Sequence, residues 1–73
     1  MAGIRYEITE KLGVLSTGRS EWTKEVNMVS WNGKSERLDI REWSPEHDKM
    51  SKGITLSREE AMRLHMILDT LFK

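Results

Sequence analysis

The sequence predicts an α+β domain in which a four-stranded antiparallel sheet is followed by one C-terminal helix. Residues 36–43 alternate polar and apolar side chains with period two, the pattern of a half-buried strand. Asn32-Gly33 separates two strand-like runs, and both residues tolerate the left-handed backbone of tight hairpin turns. Ser57-Arg58-Glu59-Glu60 fits a capping box and opens a run whose apolar residues recur at spacings of three and four.

In chain order, Ile4, Tyr6 and Ile8 alternate with Arg5, Glu7 and Thr9, and Leu12, Val14 and Leu15 resume after Lys11, predicting a half-buried first strand. Residues 16–20 (STGRS) read as a turn or a loose loop, with Gly18 free to take positive φ. Residues 22–31 form the second strand, with Val26 and Met28 on one face and Asn27, Val29 and Trp31 on the other. In the third strand, residues 36–43, Leu38 and Ile40 point to the core, and Arg37, Asp39, Arg41 and Trp43 point away. Residues 44–51 are polar, contain the only proline, Pro45, and read as an exposed connection. Residues 52–56 form a short fourth strand with Ile54 and Leu56 on the core face. The helix presents Ala61, Leu64, Ile67, Leu68, Leu71 and Phe72 as one stripe that should cover one sheet face, with Met62 and Met66 outside it.

The 73 residues are expected to form one domain, residues 1–73, near the lower size limit for a self-sufficient core. No cysteine is present to supply disulfides or thiolate-bound zinc, which leaves oligomerisation as the common remedy and predicts a homodimer. The first ten residues carry Arg5, Glu7 and Glu10 and do not read as a signal peptide. No apolar run approaches the roughly 20 residues of a membrane span, so a cytoplasmic location is expected. Twelve basic and twelve acidic residues cancel, so binding to a phosphate chain would depend on how charge is sorted between faces.

Aromatics and cations concentrate in residues 31–57, a combination suited to stacking on bases while neutralising phosphates. Trp31 precedes the Asn-Gly turn and Lys34 follows it, which places an indole and a cation at a hairpin tip. Arg37 and Arg41 stand four residues apart on one strand face, roughly 13 Å, with Trp43 two residues further on. The plainer reading is a solvated face on which Asp39 pairs the arginines. Met62 and Met66 suit an adaptable subunit contact. His47 and His65 have no metal-ligand or catalytic spacing and read as surface residues. The carboxylates are dispersed among bases, and neither a phosphate-cradling glycine loop nor a nucleophile motif is present. No enzyme, cofactor, metal or small-molecule substrate is expected.

Leu38-Asp39-Ile40-Arg41-Glu42-Trp43, then Lys52-Gly53-Ile54-Thr55-Leu56-Ser57 after a polar loop, resembles the core pattern of the positive-cofactor-four family of transcriptional coactivators. Trp31-Asn32-Gly33-Lys34 and the short length are similar to its bacterial YdbC-type branch. The resemblance implies a strongly curved sheet, a homodimer built largely through the helices, and binding of single-stranded DNA along the sheets with little sequence preference. It also implies an aromatic role for Trp31 and basic roles for Lys24, Lys34, Arg41 and Lys52. Trp43 matches the first of the family's paired aromatics, and Ser44 stands where the second would be. Arg37 falls at a position that is usually apolar, so its candidacy rests on its strand face. The expected partner is single-stranded DNA, with an RNA-binding module or a protein-interaction adaptor as alternatives.

Overall fold

The computed structural model describes residues 4–73; residues 1–3, with the start of the chain, lie outside the described residues. Four strands form one antiparallel sheet in the order β1-β2-β3-β4: β1 (Tyr6–Thr17), β2 (Thr23–Trp31), β3 (Arg37–Trp43) and β4 (Ile54–Leu56). Helix α1 (Arg58–Leu71) follows β4. Strand β1 shifts register against β2 at three places, between Ile8 and Glu10, Lys11 and Gly13, and Val14 and Ser16. Each extra residue bends and twists the strand, so β1 curls along β2.

The turns differ in how far the residue types foretold them. Asn32 and Gly33 both take positive φ, 53° and 77°, and the Lys34 amide donates to the Trp31 carbonyl at 2.9 Å. The Asn-Gly reversal therefore forms as its chemistry requires. In the β1–β2 connection, Gly18 keeps φ at −99° and the left-handed positions fall on Ser20 (60°) and Glu21 (62°), inside a 3-10 turn over Arg19–Glu21. The capping box forms in full: the Glu60 amide donates to Ser57 Oγ at 3.1 Å, and the Ser57 amide donates to Glu60 Oε1 at 2.8 Å.

The two sheet faces exchange their expected roles. Asp39 and Trp43, predicted to face solvent, are both 0% exposed, whereas Leu38 and Ile40 are only part-buried. The reason lies in residues 44–51, which fold back over the Asp39/Trp43 face instead of looping into water. His47 stacks on Trp43 with ring centroids 5.6 Å apart, and its carbonyl accepts from the Tyr6 hydroxyl at 2.6 Å. The polar residues of the loop serve the loop itself. Ser44 Oγ donates to Asp48 at 2.8 Å and accepts from the Lys49 amide, while the Ser51 amide donates to the Glu42 carbonyl.

Helix α1 reaches the opposite face only at its first turns, where Ala61, Met62, His65 and Met66 border a groove of about 350 Å³ with Met28 and Leu38. The expected apolar stripe does not cover the sheet. Ala61 and Leu64 are part-buried, but Ile67, Leu71 and Phe72 are 64%, 67% and 79% exposed. Strand β1 is likewise less buried than its alternation predicts, with Leu12, Val14 and Leu15 all exposed.

Gly53 marks the closest approach between the 44–53 segment and β3. A Cβ added there would sit 2.3 Å from Arg41 Cβ and 2.5 Å from the Ile40 carbonyl oxygen, so backbone would have to move. Gly53→Ala is expected to destabilise the protein by about 1–3 kcal/mol in urea unfolding, the usual cost of overpacking. Gly13→Ala, at a site with nothing within 4 Å of the new methyl, should change stability far less. Equal effects would contradict this packing.

Candidate nucleic-acid interface

Because β-strand side chains alternate between faces, β2 and β3 send Glu25, Asn27, Val29 and Trp31, with Asp39, Arg41 and Trp43, to one side. β1 adds Tyr6 opposite Trp31. The result is an aromatic cluster floored by buried polar groups. Tyr6 lies 5.2 Å from Trp43 and 6.1 Å from Trp31, both at 49°. Neither the Trp31 nor the Trp43 indole N–H, both buried, has a hydrogen-bond partner.

Asp39 is the electrostatic centre of the cluster. Its carboxylate receives a two-pronged bond from Arg41, Nε to Oδ2 at 2.7 Å and Nη2 to Oδ1 at 2.8 Å. Thr55 Oγ1 donates to Oδ1 at 2.9 Å from β4. A paired guanidinium and carboxylate match each other's planar geometry, which is what makes burial of the charge tolerable. The Arg41 guanidinium carbon lies 4.6 Å from the Trp31 ring centroid, within cation–π range.

A second carboxylate is held beside it. Glu25 is 5% exposed and contacts Thr23 Oγ1, Asn27 Nδ2 at 3.1 Å, and His47 Nε2 at 3.1 and 2.9 Å from its two oxygens. Burial pushes the Glu25 carboxyl up, but bonds from Thr23, Asn27 and His47, with the His47 charge, outweigh it and hold it below the ordinary value. His47 is therefore not the plain surface residue its spacing suggested. Its backbone is left-handed at φ 59°, a conformation secured by the ring stack, the Glu25 contact and the Tyr6 bond.

The predicted contact residues do not share one surface. Trp31 is part-buried, and Lys34 follows it in the exposed turn. Arg5 joins them from the lead into β1: its amide donates to Asn32 Oδ1 at 3.0 Å, and its carbonyl accepts from the Asn32 amide at 2.7 Å. The Arg5 guanidinium reaches to 3.9 Å from where a Cβ of Gly33 would be. Sequence reasoning missed Arg5 because only the Tyr6–Trp31 pairing brings it to the turn. Arg37 is exposed at the start of β3 and helps hold the Glu60 carboxyl below its ordinary value, behind the larger effects of the bonds to Ser57.

Lys24 lies on the other face, across from Glu42, and borders a groove with Glu42, Lys52 and Ile54. Trp43 is sealed beneath Tyr6 and His47, so the exposed base platform expected of it is corrected to a core role. Arg41, expected to meet phosphates, has a side chain only 12% exposed and is committed to Asp39. Among the described residues, no cluster of three or more His, Asp or Glu side chains is arranged to hold a metal ion. Among the described residues, no helix is long and apolar enough to cross a membrane.

The lowered Glu25 carboxyl predicts a direction for acid sensitivity. Its contribution to stability is fully present above about pH 4.5, the ordinary value, and is lost as pH falls toward the lower folded value. Urea midpoints measured from pH 6 to pH 3 should fall less steeply for Glu25→Gln than for the unaltered protein. A steeper fall in the variant would contradict the assignment.

Residues 19–67 match the family model described as Transcriptional Coactivator p15 (PC4). An uncharacterized protein of Treponema pallidum (strain Nichols) is 46% identical over 66 residues, covering 90% of this chain and 78% of that protein. With β2, β3, β4 and the first ten residues of α1 all inside the matched region, the chain belongs to the Transcriptional Coactivator p15 (PC4) family.

Proposed function

We propose that this protein binds single-stranded DNA with little regard to base sequence, in transcription, replication or repair. The observation that carries the proposal is the β2–β3 turn: a partly exposed indole, Trp31, braced from one side by Arg41 and flanked by the exposed cations Arg5 and Lys34. A base can stack on the open part of the ring because every base has a π-face, at a gain of about 1–3 kcal/mol. Arg5, Lys34 and Arg37 neutralise phosphates on either side of it. Lys24 and Lys52 extend the path around the far side of the sheet, where they border one groove. With a formal net charge of zero, binding rests on these local cations and not on the overall charge. Family membership supports the choice of single-stranded DNA over a polypeptide partner.

The acting unit in this proposal is a homodimer. The accessible surface of 6027 Å² exceeds the roughly 4,700 Å² expected of a compact monomer of this mass. The Cα radius of gyration, 13.3 Å, likewise exceeds about 11 Å for a compact domain of this length. The excess goes with the uncovered helix stripe of Ile67, Leu68, Leu71 and Phe72. Met62 and Met66, 56% and 63% exposed, adjoin it beside the groove and extend the subunit contact.

Two measurements test the reading. Anisotropy titration of a labelled thymidine oligomer should show affinity falling with salt by about 0.7 log units per log unit for each neutralised phosphate, and Trp31→Ala should weaken binding by about 1–3 kcal/mol. A flat salt response rejects the electrostatic half, and an unaffected Trp31→Ala rejects the stacking half. Equal or tighter binding of RNA or duplex DNA would redirect the assignment. In sedimentation analysis the unaltered chain should run as a dimer and Ile67→Lys/Leu71→Lys as a monomer. A monomeric unaltered chain would reject the dimer.

A further inference from the structure

Arg41 lies beside the proposed stacking residue yet has nothing left to offer a phosphate. A guanidinium has five N–H donors. Nε and Nη2 bond Asp39 at 2.7 and 2.8 Å, and Nη2 also reaches Thr55 Oγ1 at 3.5 Å. Nη1 reaches the Ser51 carbonyl at 3.3 Å and Met50 Sδ at 3.5 Å. These acceptors come from β3, β4 and the returning 44–53 segment, so the head group is fixed from several sides. Its charge is neutralised by a carboxylate that is 0% exposed, which leaves a dipole in place of a free cation. What remains is its contact with the Trp31 ring, whose centroid lies 4.6 Å from the guanidinium carbon.

We propose that Arg41 acts on a bound single strand only through Trp31, as a positioning residue that fixes the plane of the indole, and makes no phosphate contact. The proposal rests on the single-stranded DNA reading above. Asp39 and Thr55 belong to the same device, because they hold the guanidinium that lies over the ring. Lysine cannot replace arginine here: it keeps the charge but has neither the fork nor the flat face.

The test uses Arg41→Lys, which retains a charge for Asp39, and Asp39→Asn/Arg41→Met, which removes both charges together and leaves an apolar side chain beneath the ring. In each, affinity for a labelled thymidine oligomer should fall roughly three- to tenfold, the loss of an ordered stacking platform. The slope of log affinity against log salt should stay at the unaltered value, whereas Lys34→Ala should make it shallower by about 0.7. The Trp31 indole proton should exchange with water faster in both variants, with no nucleic acid present. A slope shallower by about 0.7 in the double variant makes Arg41 a phosphate contact and overturns the proposal. So does full affinity with unchanged indole exchange in Arg41→Lys. Absence of oligomer binding by the unaltered protein overturns the single-stranded reading as well, so the two failures are distinguishable.

Discussion

The buried carboxylate of Asp39 is the constraint around which this small sheet is organised. An ionised side chain with no exposure must be fully partnered, and Asp39 finds Arg41 two residues along its own strand and Thr55 on the next. Meeting that demand joins β3 to β4, fixes the Arg41 head group and thereby places the Trp31 ring. Removing a single partner from a buried ion pair typically costs about 3–5 kcal/mol, because the other charge is left stranded. The pair therefore enforces one arrangement of this face more than it adds to net stability. Glu25 plays a similar part nearby, drawing His47 and the whole 44–51 segment down over Trp43.

The division of labour among the tryptophans follows from that arrangement. Trp43, enclosed by Tyr6 and His47, is one of only two fully buried apolar side chains among the described residues, the other being Val29. Such a meagre apolar core explains why so much of the face is held by polar and ionic contacts. It also explains why the helix stripe carries such weight in the proposed dimer. The molecule measures only 18 Å in its shortest dimension and leaves most of the helix stripe uncovered, and that stripe is the surface the proposed dimer would bury. Trp31, at the turn and only part-buried, is the indole to which the proposed function assigns the partner.

Local chemistry was legible in the sequence, and tertiary placement was not. The Asn-Gly turn and the Ser57/Glu60 capping box are set by the residues themselves and formed as read. The third strand was also legible, because its alternation is strict. Which of its faces would be buried was not, since Leu38 and Ile40 are the more apolar pair and hydropathy favours them. The outcome turned on residues 44–51, whose polar composition conceals bonds made mostly within the loop and to the neighbouring strands. The same blindness hid Arg5, which becomes a neighbour of the turn only through long-range pairing. Trp31 and Lys34 flank the turn where the Asn-Gly motif placed them. The commitment of Arg41 and the burial of Trp43 required the fold.

In the proposed function a single strand meets this protein at Trp31 and not at Trp43. The three indole N–H resonances provide native reporters in a two-dimensional 15N–1H spectrum titrated with a thymidine oligomer. A large shift is expected for the Trp31 indole together with the Asn32, Gly33 and Lys34 amides, while the Trp43 indole moves little. A large shift at Trp43 with Trp31 and the turn unmoved would contradict it.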